Sequence, residues 1–192
     1  MSIDWTLFQW FNSLAGRSPS LDTVIRLLMN DYLLTTALVL FLFGLWFSGE
    51  TRAIRERNQF ALPSAILAMF AGNLFIKMLN LIFYRPRPFA SHTVHLLFYR
   101  PSDSSFPSNA TAVGFSIATA VWYFNRKAGL IMYTLALLLG VSRICGGVHY
   151  PSDVLGGMLV GIGAAYLVVN KLPFLQRVWS AIIHFMRRWI LA

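Results

Sequence analysis

Apolar residues in this chain come in long uninterrupted runs rather than in the alternating or one-faced patterns of soluble strands and helices. A helix needs about 20 mostly apolar residues to cross a bilayer. Five segments approach that length: 23–47, 60–84, 109–124, 128–145 and 154–169. The third and fifth are short and need flanking residues or a locally thin bilayer. Residues 2–15 carry Trp5, Phe8 and Phe11 with Leu7, Trp10 and Leu14, an aromatic-rich pattern suited to the membrane interface. Residues 174–191 set Arg177, His184, Arg187 and Arg188 among Trp179, Ile182, Ile183, Phe185 and Trp189. That pattern predicts a basic amphipathic helix on a leaflet and only a weak sixth span. The expected fold is all-α: a polytopic membrane helical bundle of about five spans, with interfacial amphipathic helices at its termini. With no repeat or linker, residues 1–192 form one domain, and its chemistry falls between about 70 and 165.

Composition supports this. Only 12% of residues are charged and 57% are hydrophobic, against a charged share of about 25% in soluble domains. An aromatic content of 15% excludes disorder. The 16 Lys and Arg against 7 Asp and Glu leave a net charge of +9, which in so apolar a chain points to lipid headgroups or a phosphorylated substrate, not nucleic acid. One cysteine, Cys145, excludes an internal disulfide framework and a multi-cysteine metal site.

The cations also set an orientation. Arg52, Arg55 and Arg57, then Arg126 and Lys127, then Lys171, Arg177, Arg187 and Arg188 occupy alternate connections. Those should be cytoplasmic, so the 85–108 and 146–153 connections face away from the cytoplasm. The first span has no basic residue before Arg17, unlike a secretory signal peptide.

Polar groups inside spans are costly and therefore candidates for function. Asn73, Lys77, Asn80 and Tyr84 share one helical face that leads into Arg85-Pro86-Arg87-Pro88. Interhelical hydrogen bonding and a snorkelling lysine would account equally for that stripe. Ser104-Ser105-Phe106-Pro107-Ser108-Asn109 then opens the third span, where a Ser or Asn cap and free N–H groups could hold an anion. The fourth span ends in Ser142-Arg143, followed by Gly146-Gly147, His149, Pro151 and Asp153. Asp153, four residues after His149, can turn back and hold one imidazole nitrogen, leaving the other free to attack. Arg143 offers a fork suited to phosphate oxygens.

Arg143-x5-His149-x3-Asp153, preceded by Ser142, resembles the third signature of the type-2 phosphatidic acid phosphatase superfamily. Pro107-Ser108-Asn109 resembles the start of its second signature, Pro-Ser-Gly-His or Pro-Ser-Asp-His, and Arg87-Pro88 the end of its first, Lys-x6-Arg-Pro. YRPRPF, SSFPSN and SRICGGVHYPSDVLGG look most like the bacterial undecaprenyl-diphosphatases of the bacitracin-resistance type. The resemblance implies that His149 attacks a terminal phosphorus, that Asp153 orients it, and that Arg143, Arg87, Arg85, Lys77, Ser108 and Asn109 bind phosphate. It implies no metal or cofactor, and the sequence has no carboxylate cluster to hold magnesium. A polyprenyl diphosphate in a bacterial plasma membrane, attacked outside the cytoplasm, is the expected substrate. Membrane lipids are the expected surroundings, with no nucleic acid and no obligatory protein partner.

Two departures stand out. Asn80 occupies the first signature's lysine position, with Lys77 one turn earlier, and Ala110 stands where the second signature has its general-acid histidine. Alanine cannot transfer a proton, so the chain is expected to be impaired, an engineered inactive variant being the favoured explanation. Phosphatases of phosphatidylglycerol phosphate, phosphatidic acid or other lipid phosphates, and a non-catalytic lipid-phosphate binding protein, remain alternatives. His92 and His95 read as solvated loop residues or headgroup contacts, Arg100 and Asp103 as shaping the mouth of the site or pairing with each other, and Gly157-x3-Gly161 as a close helix contact. Arg26, Asn30 and Asp31 are expected to pair locally at the outer interface.

Overall fold

The apolar runs fold into helices. A computed structural model describes residues 2–30, 32–172 and 174–187, and among these there is no strand. The elements are α1 (Ile3–Asn12), α2 (Pro19–Leu28), α3 (Leu33–Phe47), α4 (Arg52–Gln59), α5 (Ala61–Ile82), α6 (Pro88–Ser91), α7 (Asn109–Phe124), α8 (Arg126–Cys145), α9 (Pro151–Tyr166) and α10 (Phe174–Arg187). A π-helical turn over Leu167–Lys171 extends α9. Side-chain caps start several of them. Ser2, Ser18, Thr51 and Asn125 accept from the backbone N–H groups of Trp5, Leu21, Ile54 and Ala128 respectively, which satisfies donors a helix start leaves open.

Among the described residues, three stretches are long and apolar enough to cross a membrane: Arg52–Ile82, Arg126–Cys145 and Pro151–Lys171. The expected first span, 23–47, is instead two helices, α2 and α3, meeting at 49°, and it makes a fourth crossing if the pair is one bent span. The polar Asn30 marks the break: its side-chain oxygen accepts from the N–H groups of Tyr32 and Leu33 at 2.9 and 3.1 Å. Asp31 lies outside the described residues.

The third expected span, α7, behaves differently. Its 16 residues rise only about 24 Å, less than the hydrocarbon thickness of about 30 Å. Ten of them are buried, so α7 is the axis around which α5, α8 and α9 pack, not a lipid-facing span. Small residues let the neighbours approach. A Cβ at Gly157 would run into the Ser108 carbonyl and one at Gly161 into the Ala112 carbonyl, whereas one at Gly163 would meet nothing within 4 Å. Gly161→Val is therefore expected to lower the melting temperature in detergent by several degrees through overpacking, while Gly163→Ala leaves it unchanged.

The chain reverses direction at each of these helices. Phe60 stacks on Phe124 at one end of the bundle, and Phe83 meets Phe106 at the other. The C-termini of α5 and α8 and the N-termini of α7 and α9 thus gather at one end. Across that end lies α1, with Phe8 buried against Ile144, Tyr150 and Val154. Far from it, Trp179, Ile182, Ile183 and Met186 of α10 turn their apolar face toward α3 and α5. The expected 174–191 helix is described only as far as Arg187; Arg188 and Trp189 lie beyond the described residues.

Candidate active site

Two connections build the site. The first leaves α8 through Gly146 and Gly147, whose positive φ of 84° suits a residue without a Cβ, and reaches His149 just before α9. The second, residues 83–108, folds over it. Its Ser105 N–H donates to the Arg85 carbonyl, and its Leu97 N–H donates to the Gly146 carbonyl. Asn12 of α1 staples the two together: its amide donates to the carbonyls of His95 and Cys145 at 2.8 Å and accepts from the His95 N–H at 3.0 Å.

His149 is buried, 4% exposed. One ring nitrogen, Nδ1, lies 2.8 Å from the Ser105 carbonyl. A carbonyl can only accept, so Nδ1 carries the proton and Nε2 the lone pair. Nε2 is 3.2 Å from Nη1 of Arg87. Asp153 is the i+4 partner expected from the sequence, but at ion-pair rather than hydrogen-bond distance, its Oδ2 lying 3.7 Å from Nδ1. As the third residue of α9, Asp153 is claimed by the helix start and accepts from the Tyr150 N–H at 2.8 Å. It also accepts from the Ser105 hydroxyl at 2.5 Å and from Arg85 at 2.6 Å. It therefore acts on the imidazole through its charge and through Ser105, whose carbonyl and hydroxyl touch the two residues in turn.

His149 lines a cavity of about 250 Å³ together with Arg87, Arg143, Asp103, Asn109, Ala110, Tyr99 and Pro101, reaching Thr35 and Val113. Arg87 is fixed by Asp103, by carboxylate at 2.8 Å and carbonyl at 3.1 Å, and by the Val148 carbonyl at 3.1 Å. The Arg143 guanidinium lies 4.7 Å from the centre of the Phe98 ring. Two held guanidinium groups, a buried imidazole and the start of α7 make an anion cradle.

Burial pushes the His149 pKa below the ordinary histidine value, and the charges of Arg87 and Arg143 add to that against the opposing pull of Asp153. The ring thus stays neutral, as a nucleophile must, at pH values where free histidine (about 6.5) is already protonated. The acid limb of kcat/KM is expected to have its midpoint below that value; a limb above it would contradict the assignment. Stability follows the same sign. The unfolded chain binds a proton here that the folded chain refuses, so stability falls as pH drops through about 6.5.

Of the residues expected from sequence, His149, Arg143, Arg87, Asn109 and Ala110 meet in the cavity, and Asp153 stands behind His149. Others do not reach its lining. Ser108 is buried at the start of α7, where its hydroxyl accepts from Thr111 at 2.9 Å. The Ser142 hydroxyl is turned to the Leu139 carbonyl at 2.8 Å. Arg85 is drawn to Asp4 and Asp153. Lys77 is exposed on α5, about 8 Å short of the helix end by rise alone. Asn80 is half-buried, and its side-chain oxygen has no hydrogen-bond partner among the described residues. Asp103, by contrast, does line the cavity and pairs with Arg87 there, while Arg100 lies over Phe89 and His92 stacks on Trp5. Arg26 donates to the Leu97 carbonyl at 3.1 Å.

Residues 61–177 match the PAP2 superfamily. The chain belongs to that superfamily. It is 32% identical over 189 residues to undecaprenyl-diphosphatase BcrC of Bacillus subtilis, covering 95% of this chain and 94% of that protein. It is 26% identical to putative undecaprenyl-diphosphatase YbjG of Escherichia coli, over 84% of this chain and 78% of that one. Among solved structures it is similar to LpxE of Aquifex aeolicus, with a TM-score of 0.66, 31% identity and coverage of 88% of this chain and 96% of the other. A transmembrane PAP2-type phosphatidylglycerolphosphate phosphatase from Bacillus subtilis gives a TM-score of 0.59 at 27% identity, over 86% of this chain and 82% of the other. This PAP2 chain is an integral membrane protein of helical-bundle architecture.

Proposed function

We propose that this chain hydrolyses the terminal phosphate of a polyprenyl diphosphate, undecaprenyl diphosphate above all, at the outer face of a bacterial plasma membrane. The observation that carries this is a buried histidine whose Nδ1 is taken by the Ser105 carbonyl and which lines one cavity with Arg87 and Arg143. Similarity over nearly the whole length to an undecaprenyl-diphosphatase supports the substrate. The alternation of cationic connections supports the orientation.

Nε2 attacks the terminal phosphorus and forms a P–N bond as the bridging P–O bond breaks. The electron pair leaves with the polyprenyl monophosphate. Arg87 and Arg143 take up the charge spread over the phosphoryl oxygens. The Ser105 carbonyl and the Asp153 carboxylate stabilise the cationic ring that results, by the logic of a triad. Water then attacks the phosphohistidine, the P–N pair returns to the ring, and the released dihydrogen phosphate carries off both of the water's protons. Ala110 supplies no acid for the leaving group. A phosphate monoester is already a good leaving anion, so the anhydride is the substrate class that suits this cavity.

A second reading, hydrolysis of a lipid monophosphate, draws on the structural likeness to a phosphatidylglycerolphosphate phosphatase. Phosphate release from undecaprenyl diphosphate, phosphatidylglycerol phosphate and phosphatidic acid by the purified chain separates the two. Faster turnover of the diphosphate is expected. Preference for a monoester favours the second reading, and binding of all three without release would mark a lipid-phosphate binding protein.

A further inference from the structure

We propose that Asp4, on the N-terminal helix, is a positioning residue for this hydrolysis: it takes up one side of the Arg85 guanidinium and so keeps the charge of Asp153 available to His149. The proposal rests on the phosphatase reading above. Arg85 lies between two carboxylates, 2.6 Å from Asp4 and 2.6 Å from Asp153. It also donates to the Ser152 hydroxyl at 2.6 Å and lies over the Tyr150 ring. Asp4 grips the start of α9 independently, accepting from the Ser152 N–H at 3.0 Å and its hydroxyl at 2.6 Å.

The charge arithmetic gives Asp4 its role. Asp4, Arg85 and Asp153 together carry one negative charge, and it lies beside a ring that becomes cationic when phosphorylated. Without Asp4, Arg85 and Asp153 form a neutral pair. The ring would then develop its charge facing Arg87 and Arg143, with Asp103 already committed to Arg87. Hydrogen bonds from Ser152 and Arg85 outweigh partial burial and hold Asp4 below the usual carboxylate range, so the charge is present at neutral pH. Asp4 sits on a well-held element, since Phe8 and Asn12 of the same helix are buried against the site loops.

The test uses the full chain in detergent micelles with two readouts: phosphate release from undecaprenyl diphosphate, and binding of inorganic vanadate as a five-coordinate phosphoryl mimic. Asp4→Asn is expected to lower kcat by about 10–100-fold with KM within about threefold. Asp4→Glu recovers most of that loss. In an Arg85→Gln background, Asp4→Asn should cost less than about threefold, because its effect passes through Arg85. Vanadate affinity should follow the same pattern. An equal loss in both backgrounds would assign Asp4 to docking α1 on Ser152 and overturn the proposal, as would full activity in Asp4→Asn. A chain that binds vanadate in this pattern but releases no phosphate upholds the positioning role while removing the hydrolytic reading. Absence of both binding and turnover overturns the two together.

Discussion

His149→Ala is expected to reduce phosphate release by more than about 10³-fold, with the protein still folded and monodisperse in detergent. The expectation follows from the position of Nε2. With Nδ1 bonded to the Ser105 carbonyl, it is the ring nitrogen that keeps the lone pair, on a histidine that lines the cavity. Arg87 and Arg143 can polarise a phosphoryl group but cannot replace the attacking atom. Asp153→Asn should be milder in its direct effect on the ring, which it does not touch at hydrogen-bond distance. It nevertheless removes the charge that Arg85, Ser105 and the Tyr150 N–H are arranged around, so a large loss is expected there too. His149→Ala turning over at the parent rate would mean that the nucleophile lies elsewhere.

The second large effect concerns position 110. Supplying a general acid typically gains about 10²–10⁴-fold, and Ala110 lines the cavity next to Asn109. Ala110→His is therefore expected to raise hydrolysis of a lipid monophosphate by about that factor, because an alkoxide must be protonated as it departs. For a diphosphate the gain should be clearly smaller. The ratio of the two gains is the diagnostic quantity. Parallel measurement of both substrates on both forms checks it, and equal gains would remove leaving-group chemistry as the reason alanine is tolerated there.

Much of this was legible in the sequence where the physics is local. Span-length apolar runs, the glycines before His149 and the proline that opens α9 act over a few residues, and the helices begin and end near where these signals lie. The bend between α2 and α3 escaped the hydropathy pattern because a single Asn30, turned to cap the next helix, outweighs the apolar residues around it. Within the site, the i+4 spacing of His149 and Asp153 suggested a direct bond, but the start of α9 takes the carboxylate first. Lys77 followed a helical stripe correctly as a face and wrongly as a reach, since the cavity lies beyond the end of α5. Asp4 carried no usable signal, and Ser105 and Asp103, visible only within a loop motif and as a loop carboxylate, gave none for the contacts they make. Their partners are 148, 44 and 16 residues away in sequence, and only the fold brings them together.

The most direct test is to quench the reaction within milliseconds, using diphosphate labelled at its terminal phosphorus, and to map the label on the chain. An acid-labile, alkali-stable phosphoryl group on His149, absent from His149→Ala, is the predicted result. Turnover with no label at His149, or with label on another side chain, would contradict it.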